Sequence, residues 1–253
     1  MKLTSKQLQE NYKKLIDIIK DTFEEGSERR ERLLKMYHDL EDRIIVAPAS
    51  GKEHYHYSFA GGYVLHILHI VKISKQLSAL YEKMGGTIDF TEEELVFSAL
   101  HHDFGKLGDL DHEYYIPNDD DWRRKKLGEI FTNDPDIINM RVPDRALWLL
   151  QHFGIKCSIK ETLGIKLADG MYDDANPFYL KVFDKNRSLK TSLPHIIHWA
   201  DAMSTWIEYD EWKQSLEEEK AEVRHRVENI KDAVSGNDRN KDLFDELFGD
   251  KKW

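Results

Sequence analysis

The sequence predicts an all-α fold, and three observations lead to this prediction. Apolar residues recur at helical spacing along most of the chain. Stretches rich in proline, glycine and small polar residues separate these periodic segments. No pair of alternating segments indicates a β-hairpin, and no internal repeat is present. We therefore expect one helical bundle with helical extensions at both ends.

The periodic segments give the expected helices in chain order. In the first, the apolar face consists of Leu8, Tyr12, Leu15, Ile16, Ile19 and Phe23. Thr91 is a predicted N-cap, with Glu94 as its capping-box partner. Residues 107–143 are predicted to be loops around one short helix. The predicted helices cover residues 5–24, 33–40, 63–84, 121–131, 144–153, 158–169, 192–212, 212–230 and 242–248, and the helix that begins at Thr91 is expected to end near Gly105 or Gly108.

These elements divide into a central part and two ends. We predict a helical domain over residues 45–210, with helical extensions over 1–44 and 211–253. In the last extension, an apolar stripe from Trp212 to Ile230 lies among charged residues. Such a stripe is compatible with a homodimer interface.

Charge and apolar run length exclude several functions. The formal net charge over 253 residues is −10, which disfavours long nucleic acids because an acidic surface repels a polyanion. Apolar runs such as ALWLL are far shorter than the about 20 residues that cross a bilayer, and the N-terminal residues lack the apolar core of a signal peptide. With Cys157 as the only cysteine, these features predict a cytoplasmic protein with no membrane partner.

Four polar residues occupy positions where the helical pattern predicts burial. His66 lies in GGYVLHILHIVKI, His102 and Asp103 in SALHHDFGKLGD, and Asp201 in HIIHWADAMS. Burying such groups costs free energy unless they are satisfied. One divalent cation would satisfy all four, since imidazole nitrogen and carboxylate oxygen suit Fe, Mn, Ni, Co or Zn. The alternative is four polar core residues satisfied within the protein.

The order of these residues resembles the HD-domain superfamily of metal-dependent phosphohydrolases, whose pattern is a His, a His-Asp pair and a distant Asp. HDFGK resembles the HD-x-GK form of the pair. APASGKEHYHYSFAGGYVLH and IIHWADAMST resemble the HD domains of 3′→5′ exoribonucleases and conjugative relaxases, while DGMYDDAN and YYIPNDDDW are similar to phage-encoded HD proteins. The resemblance covers about residues 45–210. A second pair, His38-Asp39, has no such surroundings.

The resemblance implies the chemistry of the site. A water activated by the metal would attack a phosphomonoester or phosphodiester of a small, nucleotide-like substrate. It assigns the metal to His66, His102, Asp103 and Asp201, and catalysis to Asp103 together with Lys106. Lys106 would contact phosphate; the alternative is a cation facing the helix dipole. One metal is expected, because LADGMYDD stands where relatives with a second metal carry His-His-Gly.

Other residues are candidates for supporting roles. Arg123 and Arg124 in WRRKK would bind substrate phosphate if their loop covers the site, although a solvated loop face is the favoured interpretation of this basic run. The resemblance places a histidine pair such as His54 and His56 near the site. His101 is expected to face away from its neighbour His102, because adjacent helical positions differ by about 100°.

Two further pairs of residues each have a functional and a structural interpretation. His69 and His198 lie one turn from proposed ligands, where they could hydrogen-bond to them or be satisfied core histidines. His152 and Asp169 are candidates for a second metal or a general base, with surface or structural roles as the favoured alternative.

Three rival functions remain open from the sequence. One is a 3′→5′ nuclease acting on short single strands, and another is a di-iron oxygenase of the HD superfamily. The third is a non-catalytic nucleotide sensor that retains the metal. A phage-encoded protein would work in the host cytoplasm.

Overall fold

The computed structural model describes residues 2–182 and 184–234, and it confirms the all-α prediction. The helices are α1 (Ser5–Thr22), α2 (Glu28–Asp39), α3 (Glu41–Val46), α4 (Gly62–Lys83), α5 (Glu92–His101), α6 (Asp121–Leu127), α7 (Val142–His152), α8 (Ile159–Lys166), α9 (Pro177–Leu180) and α10 (Leu193–Val234). Short 3₁₀ turns cover Phe104–Leu107, Gly170–Tyr172 and Lys185–Arg187. The helix predicted over 242–248 lies outside the described residues.

A small antiparallel hairpin corrects the prediction that the chain has no strand pair. Strands β1 (Tyr115–Pro117) and β2 (Phe131–Asn133) pair with Tyr115 opposite Asn133. The amide of Phe131 also donates to the carbonyl of Gly51 at 3.0 Å, which ties the hairpin to the loop before α4. Strands of three residues are too short for an alternating pattern to be visible in the sequence.

The two helices predicted over 192–212 and 212–230 are one continuous helix, α10. Pro194 is the single proline in that range, and it lies in the first turn, where its missing N–H costs nothing. Lys2–Tyr209 form one compact unit, and a second unit begins at Asp210. The division predicted at residue 44 stays a prediction. Within the part of the chain that the structure describes, no helix is long and apolar enough to cross a bilayer.

The hydrophobic core of the unit Lys2–Tyr209 surrounds α4. Its buried aliphatic residues include Val64, Ile67, Ile70 and Val71, each of which contributes about 1.5–3 kcal/mol on burial. His66 is fully buried on the same helix. The apolar packing therefore fixes the backbone that carries this polar side chain.

The start of α5 is fixed by the predicted capping box. The Thr91 hydroxyl accepts from the Glu94 amide at 3.1 Å, and the Glu94 carboxylate accepts from the Thr91 amide at 3.1 Å. Both interactions satisfy backbone donors that the helix leaves unpaired. The helix ends at His101, directly before His102.

Candidate metal centre

Three helices of the unit Lys2–Tyr209 bring the four predicted ligands together. His66 lies in the first half of α4, Asp201 lies on α10, and His102 and Asp103 follow directly after α5. His66, His102 and Asp103 are buried, while Asp201 is partly exposed. The cluster is therefore largely enclosed, with one side chain toward solvent.

A tight turn after α5 places Lys106 beside Asp103. The Lys106 amide donates to the Asp103 carbonyl at 2.8 Å in the 3₁₀ turn, and the Lys106 Nζ donates to Asp103 Oδ2 at 2.6 Å. Gly105 between them is required by packing, because a Cβ there would lie 2.0 Å from the carbonyl oxygen of Val142 on α7. The glycine of HDFGK thus lets α7 approach the turn.

His66 Nε2 and His102 Nε2 each lie close to a carboxylate oxygen of both Asp103 and Asp201. His66 Nε2 lies 3.5 Å from Asp103 Oδ2 and 3.4 Å from Asp201 Oδ1. His102 Nε2 lies 3.6 Å and 3.9 Å from the same two atoms. Atoms bound at about 2.0–2.3 Å from one ion can be at most about 4.6 Å apart. His66, His102 and Asp201 accordingly form a group that could hold a metal ion.

Two buried imidazole nitrogens in this group lack a hydrogen-bond partner, namely His66 Nε2 and His102 Nε2. The opposite nitrogen of each ring is bonded: His102 Nδ1 donates to the Ala99 carbonyl at 2.8 Å, and His66 Nδ1 donates to Glu208. Buried polar atoms without partners are rare in proteins, and each requires an explanation. A metal ion between the two rings provides one.

Glu208 is a site residue that the sequence analysis missed. It is fully buried, and its Oε2 and Oε1 lie 3.0 Å and 3.1 Å from His66 Nδ1. Although burial opposes its ionisation, the charge of His66 lowers the pKa of Glu208 to about 2. A carboxylate only accepts, so His66 Nδ1 must donate and its Nε2 faces the other ligands. The spacing of Asp201 and Glu208, seven residues or two helical turns, could have indicated one shared face.

Charged neighbours shift the pKa values of the cluster. Burial alone would lower the pKa of His66, but the carboxylates of Glu208 and Asp201 raise it to about 10. Burial likewise opposes ionisation of Asp103, yet the Lys106 ammonium holds the pKa of that carboxyl below its usual range. At neutral pH a proton on His66 Nε2 would thus compete with a metal ion.

Lys106 also borders a cavity of about 200 Å³. Aromatic and apolar residues of the hairpin region, including Tyr114, Tyr115, Pro117 and Phe131, form one side of it. A cation at the edge of an aromatic cavity can fix an anionic group while the rest of a ligand contacts the rings. Lys106 therefore contacts Asp103 and also lines the cavity.

Of the histidine pair in the loop before α4, only His56 joins the cluster. Its ring centroid lies 4.7 Å from that of His66, and its Nε2 is buried without a partner. Burial, followed by the charge of His66, lowers the pKa of His56 to about 3. His54 is exposed and contacts Tyr55.

The two histidines one turn from the ligands have different partners. His69 Nδ1 donates to Glu208 Oε1 at 3.2 Å, so this carboxylate holds two imidazoles. His198 Nδ1 donates to the Ala168 carbonyl at 2.8 Å. Its ring fills the space where a Cβ on Gly170 would lie, which makes His198 a packing residue.

The structure separates Asp169 from His152. Asp169 is half-buried, and burial, followed by the charge of Asp103, raises the pKa of its carboxyl. It therefore lies near the cluster rather than on a distant surface. The His152 ring instead stacks on Trp148, with centroids 5.8 Å apart.

The arginines proposed to bind substrate are exposed on α6 and paired with acidic residues. The Arg123 guanidinium donates to Glu129 at 3.0 Å, and Arg124 donates to Asp121. Among the contacts of the described residues, none joins either arginine to the metal ligands. Their role in substrate binding stays a prediction.

Two further histidines behave as expected from their positions. His101 faces the aromatic core, where its ring packs against Phe97 and Phe104. His38 and Asp39 are exposed at the end of α2, and Asp39 forms an ion pair with Lys35. The second His-Asp pair therefore lacks the buried surroundings of the first.

No protein-family model, curated protein or solved structure matches the chain. The resemblance to HD-domain hydrolases stays a prediction, and the candidate centre depends on its own geometry.

Proposed function

We propose that this chain is an HD-domain phosphohydrolase that uses a divalent metal to hydrolyse a nucleotide-like phosphomonoester or phosphodiester. The observation that carries the proposal is the convergence of two unpartnered imidazole nitrogens with two carboxylates. His66 Nε2 is 3.4 Å from Asp201 Oδ1, and His102 Nε2 is 3.6 Å from Asp103 Oδ2. Lys106 adds a cation next to this cluster.

His66, His102, Asp103 and Asp201 would hold the ion, which we expect to be Fe, Mn, Ni, Co or Zn. When bound, such an ion supplies a Lewis acid that lowers the pKa of water and offsets charge on a phosphoryl group. One ion suffices for this donor set.

The protein's own residues orient and charge the site. Glu208 fixes the His66 ring through Nδ1, and the Ala99 carbonyl fixes the His102 ring in the same way. The Lys106 ammonium would contact a phosphoryl oxygen and stabilise the charge that develops there. In that role it would exchange part of its interaction with Asp103 for one with substrate.

The surroundings of Lys106 support a small substrate. Pockets for drug-sized ligands measure about 300–1,000 Å³, so the cavity of about 200 Å³ beside Lys106 suits one ring system. The net charge of −10 also opposes binding of a long polyanion. We therefore favour a mononucleotide-sized phosphoester over a polynucleotide.

Metal analysis of the purified protein tests the proposal, followed by a turnover screen of nucleotides and cyclic dinucleotides with Mn²⁺, Co²⁺ or Ni²⁺. The Asp201→Ala variant is the control for contaminating phosphatases. It removes a metal ligand, and because Asp201 is partly exposed the substitution should leave the fold intact. We expect bound metal and turnover that Asp201→Ala abolishes. A protein that binds none of these metals would contradict the proposal, whereas metal binding without turnover would indicate the sensor.

A further inference from the structure

We propose that His56 is a fifth protein ligand of the ion held by His66, His102, Asp103 and Asp201. The inference depends on the metal site that supports the proposed function. His56 Nε2 is buried without a hydrogen-bond partner. It belongs to a group with His66 and Asp103 in which the ligand atoms all lie within 4.8 Å of one another.

The loop that carries His56 is held in a specific conformation. The His56 carbonyl accepts from the Ser50 hydroxyl at 2.7 Å, and the next carbonyl, of Tyr57, accepts from the Ala49 amide at 3.1 Å. Tyr57 has a φ of +41°, which is unusual for a bulky residue. Strained backbone of this kind persists where the surrounding structure enforces it, and it is concentrated at functional sites.

A glycine at the start of α4 makes this conformation fit. A Cβ on Gly62 would lie 2.0 Å from the Tyr57 carbonyl oxygen, so only glycine lets the loop pack onto the helix start. His66 lies four residues after Gly62 on α4, and its ring packs against that of His56 with centroids 4.7 Å apart. The loop and α4 thus form one platform for both imidazoles.

The arrangement favours one ion with five protein donors over two ions. His56 is grouped with His66 and Asp103, whereas His102 and Asp201 form a second group with His66, so His66 is the residue that both groups share. Glu208 occupies the Nδ1 of that ring, so only Nε2 can bind metal. A single nitrogen serves a single ion, so binding by all five donors requires the two groups to draw together around one ion at His66 Nε2.

Five donors, of which three are imidazoles and two are carboxylates, leave one position of an octahedron for water or a phosphoryl oxygen. Zinc sites are usually four-coordinate. The proposed set therefore favours ions that accept six-coordination, such as Mn²⁺, Fe²⁺, Co²⁺ or Ni²⁺, and the Co²⁺-loaded protein should show the weak visible absorption of six-coordinate cobalt.

The test compares His56→Ala and His56→Gln with His54→Ala in the full-length protein. His54 is the matched control, since it lies two residues away in the same loop but is exposed. Dissociation constants for Co²⁺ and Mn²⁺ are measured by competition with a chromophoric chelator, and thermal melting checks that each variant folds. Both His56 variants should bind metal at least about tenfold more weakly, with stronger Co²⁺ absorption as the coordination number falls.

The outcomes separate this inference from the proposed function. Wild-type affinity and an unchanged Co²⁺ spectrum in both His56 variants would overturn the fifth ligand alone. A wild-type protein that binds neither ion would overturn both proposals. If His56→Ala does not fold, His56→Gln provides the comparison, because its side chain retains most of the volume of the ring.

Discussion

His66 and Glu208 are joined within the core, with Nδ1 of the imidazole 3.0 Å from Oε2 of the carboxylate and both side chains fully buried. This pair fixes which nitrogen of His66 faces the candidate ligands.

Glu208→Gln should weaken metal binding by about 10–100-fold, the usual effect of losing an outer partner of a ligating histidine. The amide fills the same space but lacks the charge that supports the imidazole. Glu161→Gln is the control, because Glu161 is equally buried but pairs with Arg29. Chelator competition should show a loss only in the first variant; equal affinities in the two would refute a role for Glu208.

Asp103→Ala should abolish turnover and weaken metal binding by more than about 100-fold, because it removes a direct ligand rather than an outer partner. The fold should persist through the apolar packing of α4 and α5. Asp39→Ala changes the other His-Asp pair, which is exposed, and should leave turnover intact. Equal loss of activity in both variants would show that the first pair has no special role.

Lys106→Met should lower kcat/KM by about 10²–10³-fold, as expected for a group that stabilises charge in the transition state. Metal affinity should not fall, because the substitution removes a cation that competes with the metal ion for the Asp103 carboxylate. The control is Lys72→Met, at an exposed position of α4. Steady-state kinetics and metal titration together decide the matter: a parallel loss of metal and activity would make Lys106 a structural residue.

Metal affinity should rise with pH. Because Glu208 and Asp201 raise the pKa of His66 to about 10, this imidazole is protonated near pH 7 and must release a proton to bind metal. The association constant should therefore increase about tenfold per pH unit between pH 7 and 9 and level off above about pH 10. Titrations in buffers that do not bind metal measure this slope, and a flat profile would contradict a protonated His66.

Turnover should favour mononucleotide-sized phosphoesters and depend weakly on salt. The metal and Lys106 offer contacts for few phosphates, whereas a polynucleotide binder loses affinity steeply as salt rises. The assay compares nucleotides with a single-stranded oligonucleotide at two salt concentrations. Processive degradation of the oligonucleotide without mononucleotide turnover would favour the nuclease.

Much of the site could be predicted because burial and polarity conflict in the sequence. His66 and Asp201 lie in strongly apolar helices, where an unsatisfied polar group would be costly. That conflict can be recognised from the sequence alone, and so can the Thr91 capping box. The helical periods were equally clear wherever an apolar face was long.

The remaining features depend on relations that a linear pattern does not contain. Glu208 lies between Ile207 and Tyr209 and shares a helix face with Asp201, but its spacing alone does not show that it pairs with His66 on another helix. The orientation of the His56 side chain depends on the positive φ of Tyr57 and on the close approach of the loop to Gly62. The hairpin of Tyr115–Pro117 and Phe131–Asn133 is held partly by the separate loop at Gly51, and strands of three residues carry no period.

The burial of His66 and His102 has a consequence for how an ion would enter and leave. With only Asp201 partly exposed among the four residues, an ion can leave on one side alone, and we expect its exchange to be slow compared with diffusion because buried ligands must release it. An ion captured while the chain folds would then persist for longer than one offered afterwards. The metal found after purification would record the supply present during synthesis, and refolding in a chosen metal would set the occupant more effectively than soaking the folded protein.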